Sequence, residues 1–99
     1  MVMTSKQRAY LKGLAMDLEA TFQIGKASLT PEFVETITEG FNKKELLKVS
    51  VLKNCADDPR EIAEMLAERT RSQVVQVIGK KIVLYKEAKD EKKKKIVLP

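Results

Sequence analysis

Two residue pairs partition this chain: Thr30-Pro31 and Asp58-Pro59. In each, a side chain suited to cap a helix N-terminus precedes a proline suited to the first helical position. Each pair also follows a β-prone run. Ala20 to Ile24 alternates Phe22 and Ile24, and Leu46 to Leu52 sets Leu47, Val49 and Val51 on one face against Lys48 and Ser50 on the other. The spacing therefore predicts strand, helix, strand, helix. A strand–helix–strand unit implies a parallel pair with a right-handed crossover.

The remaining segments complete the order αβαβαββ. Thr4 followed by Gln7 fits a capping box. Behind it Tyr10, Leu11, Leu14 and Leu18 recur at helical spacing and are expected to face a core. The second helix presents Phe33, Val34, Ile37 and Phe41, with Glu32, Glu35 and Glu39 toward solvent. The third presents Ile62, Ala63, Leu66 and Thr70. Ser72 to Ile78 and Lys81 to Lys86 form a hairpin across Gly79-Lys80, a loop suited to a type II′ turn. The expected fold class is α/β: a single domain with a mixed four-stranded sheet packed with helices. Residues 1–87 are read as the domain and 88–99 as a charged C-terminal tail, with Lys92 to Lys95 a mobile basic segment.

Composition removes several function classes. A chain of 99 residues is one domain's worth. No run approaches the ~18 apolar residues of a transmembrane helix, and no secretory signal is visible, so a cytoplasmic protein without membrane contact is expected. Cys55 is alone, so no internal disulfide and no cysteine cluster for zinc can form; it reads as a small apolar residue after a strand. Without histidine there is no imidazole chemistry and no histidine partner to activate a thiol. Acid pairs such as Asp57-Asp58 or Glu61 with Glu64 read as helix N-terminal acids complementing the dipole rather than a magnesium site. No enzyme activity, metal or organic cofactor is expected.

The net charge of +5 hides a segregation: Pro31 to Glu68 holds nine acidic and five basic residues, and the rest holds fourteen basic and five acidic. A basic surface beside an acidic one suits an oriented polyanion partner. The candidate contacts are Arg8 and Lys12 on the first helix, Lys26, and Lys80 and Lys81, with the basic tail widening the footprint. Lysine and arginine neutralise phosphates without reading sequence. Gly25-Lys26-Ala27-Ser28 joins the first strand to the second helix. As a pattern, such a turn is more often simply a tight turn than a phosphate site, and it is far too short for a P-loop.

Several separate stretches resemble one family. RAYLKGL (Arg8 to Leu14), FQIGKASLT (Phe22 to Thr30), ELLKVSV (Glu45 to Val51), VVQVIGKKIVLYK (Val74 to Lys86) and the ending KIVLP are similar to the bacterial YhbY-like proteins. These are stand-alone versions of the CRM (chloroplast RNA splicing and ribosome maturation) domain. The resemblance covers nearly the whole chain. It implies an RNA-binding domain shaped like the C-terminal domain of translation initiation factor three. It also implies association with ribosomal RNA of large-subunit precursors. Ribosomal proteins are candidate further contacts, and a monomer is expected. The family's GxxG loop is likened to that of KH domains, which clamps nucleic-acid backbone. Here that loop would be Gly25, Lys26, Ala27 and Ser28, and Ser28 departs from the second glycine. Either the serine sits in an ordinary conformation or the loop geometry differs; its hydroxyl is also a candidate phosphate donor. The competing readings are a small-RNA or mRNA regulator and a protein-interaction adaptor docking by a sheet edge or the tail.

Overall fold

The computed structural model describes residues 3–89 and 96–99. The element order is α1 (Ser5–Ala15), β1 (Phe22–Ile24), α2 (Pro31–Gly40), β2 (Leu46–Val51), α3 (Pro59–Thr70), β3 (Gln73–Ile78) and β4 (Lys81–Tyr85). This is the αβαβαββ order expected from the sequence, with β1 starting two residues later than its β-prone run. The caps form as the residue types dictate. Thr4 and Gln7 make a reciprocal capping box, Thr30 accepts from the Phe33 N–H ahead of Pro31, and Asp58 accepts from the Arg60 N–H ahead of Pro59.

The four strands form one sheet in the order β1-β2-β4-β3. β1 and β2 are parallel, and β4 runs antiparallel to both β2 and β3. Gly79 turns the β3–β4 hairpin at φ 55, a backbone region that glycine enters without steric cost.

Period-two alternation sends side chains to two separate cores. On one face Ile24, Leu47, Val49, Val51, Ile82 and Leu84 pack against Ile37 and Phe41 of the α2 segment and Ile62, Ala63 and Leu66 of α3. On the other face Leu46, Val75, Val83 and Tyr85 meet Met3, Leu11 and Ala15, with Leu18, Ile96 and Leu98 packed alongside.

The α1 stripe departs from expectation. Leu11 and Ala15 are buried, whereas Tyr10 and Leu14 are 43% and 41% exposed. Two long-range bonds set the rotation of this helix. Arg8 donates from Nη1 to the carbonyls of Val74 and Val75, at 2.6 and 2.8 Å. There β3 shifts register between Val74 and Gln76, and a bulge leaves backbone groups without ladder partners. Lys48 Nζ donates to the Ala15 carbonyl at 3.2 Å, at the helix C-terminal end where a cation is favoured. Together they turn Leu11 and Ala15 downward and leave Tyr10 and Leu14 on the flank.

The end of the chain returns to this second core. Glu45, only 4% exposed, accepts the Ala88 N–H on Oε2 and the Ile96 N–H on Oε1, both at 3.0 Å. Its backbone carbonyl accepts from the Lys86 N–H at 2.9 Å. Ile96 and Leu98 then pack on the α1 side, and Pro99 receives a bond from the Gln7 amide. The apolar ending is thus seated on the domain, while the basic segment Lys92 to Lys95 lies outside the described residues.

Candidate nucleic-acid interface

Strand direction decides which loops meet. The parallel pair β1 and β2 ends at the same edge of the sheet, where β4 begins and β3 ends. The β1–α2 loop, the β2–α3 loop and the β3–β4 turn therefore converge. Two backbone bonds bind them: the Leu52 N–H to the Ile24 carbonyl at 2.9 Å and the Val51 N–H to the Lys80 carbonyl at 2.7 Å. The convergence packs position 25 closely: a Cβ there would lie 3.3 Å from the Asn54 side-chain oxygen, so a larger residue would require that exposed side chain to shift.

The sequence singles out Lys26, Lys80 and Lys81 without showing whether they share a surface; the topology brings all three to this end. Lys26 and Lys80 are exposed on the loops, and Lys81 reaches back to donate to Ser50 Oγ at 3.1 Å. A fourth cation, Lys53, joins them from the β2–α3 loop, exposed. Sequence reasoning missed it because it sits within the acidic half; its place just past a strand end parallel to β1 is the signal that could have found it.

The same end receives the N-termini of α2 and α3, which start at Pro31 and Pro59 directly after these loops. Their dipoles add positive potential here and negative potential at the opposite end. That opposite end also carries cations, Lys43, Lys44 and Lys86, but faces the helix C-termini and holds the buried carboxylate of Glu45. At the loop end, Glu32, Asp58 and Glu61 lie in the caps and first turns of α2 and α3 and offset the dipole potential, so attraction for an anion there comes from the loop lysines.

Within the loop, the Ser28 N–H donates to the Gly25 carbonyl at 2.9 Å, closing a tight turn. Ser28 itself sits at φ 55, in the left-handed region. A residue with a Cβ thus occupies a conformation that glycine enters freely, at a cost of about 1 kcal/mol. Its hydroxyl donates to the Asp57 carboxylate, and the Cys55 thiol donates to the Ser28 Oγ at 3.7 Å. The bond ties the β1–α2 loop to the β2–α3 loop and occupies the hydroxyl proton. Ser28→Gly is expected to relieve the backbone strain, remove that tie and leave RNA affinity equal or slightly better. Ser28→Ala keeps the strain without the tie and should lower stability by about 1 kcal/mol in denaturant titrations. A large affinity loss in Ser28→Gly would give the hydroxyl a direct binding role.

Arg8 and Lys12 belong to α1, a separate element rather than one of the loops. Arg8 is half-buried with one Nη satisfying the β3 bulge, so its first duty is to the fold, while Lys12 is exposed. Among the described residues no group of three or more His, Cys, Asp or Glu is placed to hold a metal ion, and no helix is long and apolar enough to cross a membrane.

Comparison with known proteins places the chain among close relatives. The CRS1 / YhbY (CRM) domain profile matches residues 3–86. A Bacillus subtilis protein named "Probable RNA-binding protein YqeI" is 44% identical over 91 residues, spanning 92% of this chain and 95% of the relative. A Haemophilus influenzae protein named "RNA-binding protein" is 31% identical over 90 residues, 91% of each chain. The solution structure of protein SAV1595 from Staphylococcus aureus is similar in fold, with a TM-score of 0.80 and 44% identity, covering 99% of this chain and 100% of that one.

Proposed function

The chain belongs to the CRS1/YhbY (CRM) domain family, and from that premise we propose that it binds RNA through the loop end of its sheet and acts on large-subunit precursors during ribosome assembly. The observation that carries the reading is the convergence of Lys26, Lys53 and Lys80 on three loops joined by backbone bonds, with Lys81 at the adjoining start of β4. Cations held on such a scaffold neutralise phosphates and release counterions, giving affinity that depends on salt rather than sequence. The tight turn at Gly25 lets an RNA backbone approach closely. No aromatic side chain lies in these loops, so the loops themselves contact backbone and shape rather than stacking bases. The names of the relatives support RNA as the ligand; the resemblance to YhbY-like proteins supports the ribosomal precursor as its source. Binding alone is the proposed activity, with no catalytic group or cofactor required.

The test is sedimentation of tagged wild type and Lys26→Glu in bacterial lysate at low and moderate salt. Wild type is expected in the large-subunit precursor fractions, with the variant moved to the top of the gradient. Wild type at the top under both conditions would contradict the ribosomal assignment in favour of a small RNA or a protein partner. Equal co-sedimentation would contradict the assignment of Lys26 as a contact.

A further inference from the structure

The half of the sheet face that α1 does not cover carries a row of side chains in direct cross-strand register. Gln23 lies opposite Ser50, Ser50 opposite Lys81, and Lys81 opposite Ile78, so the row crosses all four strands. Directly opposed residues share a face. The α1 helix sits over Leu46, Val75, Val83 and Tyr85, and the Lys48 bond to the Ala15 carbonyl marks its C-terminal limit. Beyond that limit Gln23 and Lys81 are exposed, Ile78 is 62% exposed at the rim, and Ser50 is buried between Gln23 and Lys81.

We infer that this row is a seat for unpaired bases of RNA whose phosphates are held by the adjoining loop lysines. The inference rests on the RNA-binding reading and specifies which part of the nucleotide the sheet takes. The row begins where the loop end stops: Gln23 lies two residues before Gly25, and Lys81 directly follows Lys80. Its chemistry suits base edges. The Gln23 carboxamide offers donors and an acceptor, and the Lys81 ammonium, steadied by Ser50 at 3.1 Å, offers further donors. Ile78 supplies an apolar surface for the flat of a base. With strands about 4.8 Å apart the row is about 14 Å wide, and four-stranded RNA-binding sheets seat two or three bases. The four strands contain no acidic residue, so no strand side chain repels a phosphate chain laid across the face. A protein partner would favour an apolar centre depleted in charge, whereas this row has a lysine at its centre.

The test uses amide chemical-shift mapping on the intact chain, titrated with a short unpaired RNA oligonucleotide and with a blunt RNA duplex. A second protein carries Gln23→Ala with Ile78→Ser, both at exposed positions. The amides of Lys26, Lys53, Lys80 and Lys81 should shift with both probes, and those of Gln23, Ser50 and Ile78 with the unpaired probe only. The double variant should bind the unpaired probe about tenfold more weakly and the duplex within about twofold of wild type. Silent row amides beside shifted loop amides, or equal weakening toward both probes, would overturn the inference and leave RNA binding standing. No shift anywhere with either probe would remove the RNA-binding reading and this inference together.

Discussion

Replacing Glu45 by alanine is expected to free the end of the chain and lower stability by about 3 kcal/mol. The carboxylate is buried, and its two oxygens hold the Ala88 and Ile96 N–H groups, one each at 3.0 Å. Hydrogen bonds to a charged acceptor contribute about 1.5–3 kcal/mol each, and the effect extends to the docking of Ile96 and Leu98 on the second core. Urea unfolding should show a lower midpoint together with a smaller m-value, because undocked terminal residues no longer add to the surface exposed on unfolding. Hydrogen exchange should lose protection at Ala88 and Ile96 while the β2 and β4 amides keep theirs. Glu45→Gln retains one acceptor oxygen and should fall between. An alanine variant with wild-type midpoint and protected Ile96 would remove Glu45 as the clasp.

Reversing Lys26, Lys53 and Lys80 to glutamate together is the change expected to affect function most. A close pair of unit charges in water is worth about 1 kcal/mol, so removing three attractions weakens RNA binding more than about a hundredfold before the new repulsions are counted. The fold should hold, because all three side chains are exposed and such surface changes cost about 0.5 kcal/mol or less. The salt dependence should flatten by about 0.7 in log–log slope for each phosphate of a single strand that the variant no longer neutralises. Lys43→Glu with Lys44→Glu, at the opposite end, serves as the comparison and should leave affinity nearly unchanged. Equal weakening from both sets would mean diffuse charge attraction rather than a site.

The parts of this architecture legible in the sequence are those decided locally. The Thr30-Pro31 and Asp58-Pro59 starts, the alternation through Leu47, Val49 and Val51, and the glycine of the hairpin turn each depend on neighbours a few residues away. The tilt of α1 does not. It is set by Arg8 reaching Val74 and Val75 and by Lys48 reaching Ala15, contacts between residues distant in sequence, and so Tyr10 and Leu14 fall outside the stripe their spacing suggests. The site shows the same division. Lys26, Lys80 and Lys81 are visible as residues, but their common placement follows from the order β1-β2-β4-β3, which no local pattern encodes, and Lys53 becomes part of the site only through that order. At Ser28 the sequence suggests an ordinary backbone conformation or an altered loop. The fold instead holds the serine in the left-handed region, with the hydroxyl bonded to Asp57, which lies 29 residues along the chain.

The claim that the loop end is the RNA contact is tested most directly by footprinting the lysines of the unmodified protein. Each lysine's acylation rate would be measured by mass spectrometry with and without bound RNA. Protection concentrated at Lys26, Lys53, Lys80 and Lys81, with Lys43, Lys44 and Lys86 reacting as in the free protein, is the predicted result. Protection at Lys43, Lys44 and Lys86 with the loop lysines unchanged would place the RNA at the opposite end of the sheet and contradict the account.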